Sequence, residues 1–256
     1  MLKACDKKME WVLSSDAGDC RPENEDRLFA SSVKCTWRKS ALFAVADGCG
    51  GMQRGAEASA AAINCVNLFW KTRISRMVCR PWIRSVSIDT CLEEMMQTAH
   101  ADVCALAEKN QPRPASTLTV FLVAGKQFWI RHVGDCRIYR LSDYGTDLER
   151  LTEDQSMVAD MLRNREIEPW EATDYSRSVL SMCLGMPTKL HTYAQSGTIH
   201  RGDIFLLCSD GLYAYADEKQ IAAQLANDPS DDRALRNLIC PGQAGDNVSF
   251  ITVWEE

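Results

Sequence analysis

Five aspartates stand where apolar runs begin or end: Asp26 in RPENED, Asp47 in LFAVADG, Asp135 in IRHVGD, Asp210 in IFLLCSDG and Asp246 in GDNVSFITV. Each alone reads as a turn residue, because Asp accepts local backbone hydrogen bonds and Asp-Gly is a common turn signal. Strands lying side by side would bring all five to one sheet edge, where that much negative charge requires cations. Carboxylate oxygens are hard ligands, so the pattern predicts Mg2+ or Mn2+. Two such ions sharing a carboxylate lower the pKa of a bridging water and neutralise a phosphoryl group under in-line attack. Asp47 is the expected bridge. It ends a fully apolar run, and Gly48 has no side chain to keep its carbonyl from an ion. Arg21, four residues before Glu25, offers a planar fork suited to a phosphate dianion.

Other chemistries lack their residues. No Gly-x4-Gly-Lys-Ser/Thr phosphate loop is present, the glycines at 48, 50, 51 and 55 make no dinucleotide fingerprint, and no G-x-S-x-G elbow occurs. None of the 12 cysteines is followed six residues later by arginine, which excludes a Cys-x5-Arg thiolate phosphatase. The D-x-D spacing of aspartyl-phosphate enzymes is missing, and His100, His132, His191 and His200 form no ligand pair.

The elements that must position the carboxylates follow from apolar periodicity. Short strands are expected over Trp11–Ser14 and Leu28–Val33, and a continuous apolar strand over Ala41–Ala46. Helices follow over Gly55–Trp70 and Ile88–Lys109, then strands over Ser116–Ala124, Gln127–Val133 and Arg137–Leu141, joined by turns short enough for antiparallel neighbours. A polar excursion runs from Glu153 to Tyr175. Strands resume over Lys189–Gly197 and Asp203–Ser209, polar helices over Asp217–Ala226 and Asp231–Ile239, and a strand over Asn247–Trp254. The order suggests an α+β fold with mostly antiparallel sheets.

The chain of 256 residues has no linker or repeat and reads as one domain, 1–256. A net charge of −6 without a basic stripe argues against nucleic acid, and no apolar run is long enough to span a membrane. The first residues lack the apolar region of a secretory signal, so a cytoplasmic protein is expected, with its cysteines reduced and mostly packed as small hydrophobes.

The motifs RPENED (21–26), ADGCGG (46–51), STLT (116–119), VGDCRIY (133–139), LTEDQS (151–156), CSDGL (208–212) and DNVS (246–249) resemble, in order, those of the PP2C-type metal-dependent Ser/Thr protein phosphatases, closest to compact bacterial members. The resemblance spans roughly Met9 to Trp254. It implies a sandwich of two central antiparallel β-sheets flanked by α-helices, and a flap over about 153–177 that includes Arg163, Arg165 and Arg177. It also implies a dinuclear Mn2+/Mg2+ centre with a weaker third ion. By position, Asp47 would bridge two metals and the Gly48 carbonyl would join the first; Asp210 and Asp246 would hold the second, with Glu25 and Asp26 nearby. Asp135 would serve the third ion with Asp210, and Arg21 would bind phosphate. Phosphorylated proteins would be the substrates of a monomer opposing a Ser/Thr kinase. The alternative is a non-catalytic phosphoprotein-binding module derived from the family, suggested by Cys49, Met52 and Gln155 where histidines are frequent.

Overall fold

The structure, a computed structural model, describes residues 9–36, 38–49, 54–82, 84–109, 113–142, 145–172, 179–240 and 242–255. Two five-stranded antiparallel sheets form its centre. The first has the order β1 (Met9–Asp16), β12 (Val248–Glu255), β11 (Ile204–Cys208), β8 (Arg137–Leu141) and β9 (Glu149–Arg150). The second runs β10 (Tyr193–Thr198), β7 (Gln127–Val133), β6 (Leu118–Ala124), β3 (Lys39–Ala46) and β2 (Arg27–Lys34). A further pair, β4 (Gly48–Cys49) with β5 (Ala115–Ser116), continues from the end of β3.

Side-chain alternation explains why β3 is apolar throughout. Ala41, Phe43 and Val45 enter the core between the sheets with Phe121, Phe205, Leu207 and Ile251, while Leu42, Ala44 and Ala46 enter a second core on the outer face. That outer face is covered by α1 (Gly55–Phe69), α2 (Ser75–Val78) and α3 (Ser85–Lys109). On the far side, α6 (Glu218–Asn227) and α7 (Asp232–Arg236) bury Ile221, Leu225 and Leu235 against Leu206, Cys208 and Phe250 of the first sheet. Each expected strand and long helix is present; Gln127–Val133 and Arg137–Leu141 keep their expected bounds, and the others have shifted ends. The first helix does not stop at Trp70 but passes through a π turn, Trp70–Ile74, into α2. The start of α3 lies three residues earlier than the apolar periodicity indicates, the polar excursion holds a short helix, α4 (Met157–Arg163), and Asp210 opens another, α5 (Asp210–Tyr213), where the sequence indicates only a turn. Met52, Arg177 and residues 2–5 lie outside the described residues.

One expectation about the cysteines is overturned. Cys35, after β2, and Cys79, after α2, are joined by a disulfide with Cα atoms 5.0 Å apart. They are 44 residues apart in sequence, and only the packing of α2 beside the β2–β3 hairpin brings them together. Cys65, Cys91, Cys136, Cys183 and Cys208 are free and buried, as expected of small hydrophobes. Closing so long a loop stabilises by about 2–4 kcal/mol in the chain-entropy picture. Dithiothreitol should therefore lower the unfolding free energy in urea by that order in the wild type and not in Cys35→Ser/Cys79→Ser. Identical curves with and without reductant would contradict the crosslink.

Candidate active site

Strand register places the five aspartates at one end of both sheets. Arg27 pairs with Ala46, so Asp26 and Asp47 stand just beyond the last rung of β2–β3. In the first sheet Cys208 pairs with both Phe250 and Arg137, which sets Asp210, Asp246 and Asp135 at the matching end. Asp135 lies in the connection that carries the chain from the second sheet to the first, between β7 and β8. The chain therefore returns repeatedly to a single edge, and always with a carboxylate.

Backbone contacts fix the central residue. The Asp47 carbonyl accepts from Thr117 N at 2.8 Å and Ser116 Oγ at 2.9 Å, and Asp47 N donates to Thr117 Oγ1 at 2.9 Å. With its main chain held on both sides, the Asp47 carboxylate is left to face its neighbours. Gly48 meets Gly55, the first residue of α1, so closely that a Cβ on either would overlap the other's backbone. Gly55 N in turn donates to Glu25 Oε1 at 2.9 Å, so one oxygen of Glu25 caps α1.

Two residues not singled out from the sequence tie the sheets together at this edge. Ser209 Oγ donates to Asp26 Oδ2 at 2.8 Å. The Asn247 side chain accepts from Glu25 N at 2.8 Å and donates to the carbonyls of Ala17 at 2.9 Å and Glu23 at 3.1 Å. Their signal was their position: each adjoins one of the five aspartates, and Asn in an Asp-Asn step reads as a turn residue rather than a clasp. Arg21 Nη2 bonds Asp246 Oδ2 at 2.7 Å and keeps half its side chain exposed, within reach of an arriving anion.

The electrostatics are those of carboxylates crowded without enough positive charge. Burial raises the Asp26 carboxyl to about 7, with Asp210 and Asp246 adding repulsion, and it raises Asp210 to about 6, with Asp246 the next cause. Asp47 and Asp135 are pushed well above the ordinary carboxylate range, first by burial and then by the other aspartates. Asp26 Oδ1 and Asp210 Oδ1 are buried with no hydrogen-bond partner. Buried oxygens of this kind are costly unless something positive meets them. Among the described residues, no three His, Cys, Asp or Glu side chains are gathered tightly enough to cage an ion by themselves. Carboxylates that repel one another stand apart, and Mg2+-like ions keep several waters rather than demand an all-protein shell. The donor set and the unpartnered oxygens fit such ions.

A family model, Protein phosphatase 2C, matches residues 22–240. The chain belongs to the protein phosphatase 2C family. It is 30% identical over 210 residues to serine/threonine phosphatase stp of Listeria innocua serovar 6a, covering 81% of this chain and 79% of that one. The crystal structure of the Mycobacterium tuberculosis serine/threonine phosphatase PstP/Ppp superposes with a TM-score of 0.78 at 25% identity, covering 96% of this chain and 97% of that one. The catalytic domain of PstP in complex with two manganese ions gives a TM-score of 0.76 at 25% identity, covering 96% and 98%. The protein is thus a PP2C-type serine/threonine protein phosphatase with the expected two-sheet fold.

Within this phosphatase, a buried brace behind Asp135 also escaped the sequence. Arg137 forms a fork on Asp154 at 2.7 and 3.0 Å and lies 3.6 Å from the Tyr213 ring centre, while Tyr213 Oη donates to the Asp135 carbonyl at 3.0 Å. Since Tyr213 ends the helix that Asp210 begins, one brace touches both carboxylate segments. Gln155 reinforces it, accepting from Gly134 N at 3.0 Å and donating to the His191 carbonyl at 3.1 Å, so the amide takes a structural part in this chain. Burial, and then Asp47, push the Cys49 thiol far up, and its Sγ lies 3.6 Å from the Asp47 carbonyl. In the segment beyond, Arg163 bonds Asp160 at 2.8 Å and the Asp154 carbonyl at 3.3 Å, so it is occupied locally.

Proposed function

We propose that this phosphatase hydrolyses phosphoserine and phosphothreonine monoesters of proteins at a centre of two Mn2+ or Mg2+ ions with a weaker third, in opposition to a Ser/Thr kinase. One observation carries the reading: Asp26 and Asp210 each hold a buried oxygen without a partner, inside a cluster of mutually repelling aspartates. The two manganese ions of the similar PstP domain support the choice of metal. Asp47, the Gly48 carbonyl, Asp210 and Asp246 would hold the two ions, Glu25 and Asp26 would stand beside them, and Asp135 with Asp210 would hold the third. When bound, the ions supply activation of water at neutral pH and neutralisation of charge on the phosphoryl group.

The chain's own residues do the rest. Arg21, with its guanidinium at the exposed rim, orients the phosphate dianion by two parallel hydrogen bonds. The Thr117, Ser116 and Asn247 contacts hold the carboxylates to the sheet ends, so that little reorganisation accompanies reaction. We assign the whole chain to one catalytic domain, with a flap over about 153–177, of which residues 173–177 lie outside the described residues. The non-catalytic alternative gains nothing from the geometry, since every expected acidic residue is present at the edge.

The test is hydrolysis of a phosphothreonine peptide. Activity should require Mn2+ or Mg2+, fall to background with EDTA, and return when metal is restored; full activity in excess EDTA would end the proposal. Stability should carry the same signature. The folded Asp26 and Asp210 hold their protons to about 7 and about 6, above the unfolded value of 3.8. Their protonated forms therefore favour folding, and that contribution is complete below the unfolded pKa and lost as pH rises through the folded ones. Chelated protein should melt at falling temperature from about pH 4 to about pH 7, with Mn2+ raising the melting temperature most at the upper end. A stabilisation by Mn2+ that does not vary with pH would contradict this assignment of protons.

A further inference from the structure

The overall acidity conceals an uneven distribution. Residues 34–39 and 71–84 hold eight of the 29 basic side chains and none of the 35 acidic ones. The fold brings the two segments together: the Cys35–Cys79 disulfide joins them, and Arg38 Nη2 donates to the carbonyls of Arg80 and Pro81 at 3.2 and 3.0 Å. Lys34 and Lys39 lie directly opposite one another on the β2–β3 ladder, a like-charge pair that costs stability unless something negative faces it. Lys71, Arg76, Arg80 and Arg84 are exposed. Among the described residues, Arg73 is the one basic side chain of the two segments with a carboxylate partner, Glu94 at 2.6 Å. In the same segment Trp82 is 93% exposed, and Val86, in the first turn of α3, is 72% exposed.

We infer that this face docks the phosphatase on an anionic lipid surface. Clustered Lys and Arg are drawn to acidic headgroups, each contributing about a fivefold factor near the membrane, and Trp settles at the bilayer interface with its ring among the headgroups. The indole protrudes instead of lining a recess, so it suits a soft planar partner better than a protein groove. No helix among the described residues is long and apolar enough to cross a membrane. Orientation follows from the ladder. The basic face lies at the hairpin end of β2–β3 and the five aspartates lie at the other end, eight residues or about 25 Å away. Docked this way, the carboxylate edge faces away from the lipid, open to phosphoproteins.

The experiment is sedimentation of the full chain with phosphatidylcholine vesicles containing or lacking phosphatidylserine, at low and high salt. Binding should require phosphatidylserine and weaken with salt. Lys71→Glu/Arg76→Glu/Arg84→Glu should bind at least about tenfold more weakly and Trp82→Ser several-fold more weakly, with hydrolysis of a soluble phosphopeptide unchanged. Brominated lipid should quench part of the tryptophan emission of the wild type, a measurement that needs no variant. Equal sedimentation with both vesicle types, undiminished binding by the triple variant, absence of quenching, or capture by polyglutamate or single-stranded RNA while vesicles are ignored would each overturn the inference.

Discussion

Asp47→Asn lowers turnover of a phosphothreonine peptide by about a thousandfold or more while making the metal-free protein more stable. The two halves have one cause. Asp47 is held by its main chain to Thr117 and Ser116, so the amide side chain occupies the same place without charge. The charge it removes is one that burial, Asp26, Asp210 and Asp135 oppose in the folded state. Without cations that charge costs stability, and with them it would serve as a ligand. Asp210→Asn should behave alike, since burial and Asp246 raise its carboxyl to about 6. Activity would be followed with saturating Mn2+, and stability by urea titration in EDTA. A variant that keeps near wild-type turnover removes Asp47 from the mechanism. One that is inactive but also destabilised shows that the carboxylate is held by something other than cations.

Gly48→Ala should cost about 3 kcal/mol or more and weaken Mn2+ binding at least about tenfold, although no charge changes. The reason is steric. A Cβ on Gly48 would overlap the backbone carbonyl of Gly55 and come within 2.8 Å of the Glu25 carbonyl, and all of these are main-chain atoms that cannot rotate aside. The added methyl must push α1 away from the site. The Glu25 Oε1 bond to Gly55 N goes with it, as does the Ser59 Oγ bond to the Glu25 carbonyl at 2.5 Å. Gly242→Ala is the control. Its φ of +80° carries a modest backbone cost, but nothing lies within 4 Å of its Cβ. Urea titration and Mn2+ calorimetry of both variants decide the matter, and equal stability of Gly48→Ala and Gly242→Ala would refute the close approach.

Much of the scaffold was legible because single strands and helices declare themselves by period. The six apolar residues of Ala41–Ala46 could only be a strand buried on both faces, and the Val-Gly-Asp step after Gln127–Val133 could only be a tight connection. Element ends were less legible because they depend on neighbours. Nothing local announces the π turn at Trp70–Ile74, and both Trp70 and Ile74 are buried in the core beneath it. The partners of the site were hidden for the same reason. Ser209 and Asp26 are 183 residues apart, and Glu25 and Asn247 are 222 apart.

The division is therefore a physical one. Residue identity and order alone determined that hard oxygen ligands recur at strand ends, that thiolate and phosphoenzyme chemistries are excluded, and which family the motifs resemble. Only the packed sheets decided that the five aspartates share an edge, that two of their oxygens are buried and unpartnered, and that Arg137 and Tyr213 brace Asp135. They also decided that Cys35 meets Cys79 and that the two basic segments it joins lie side by side on a chain whose net charge is negative. Burial, charge crowding and long-range hydrogen bonds are properties of distances between segments, and those distances do not exist until the sheets close on their core.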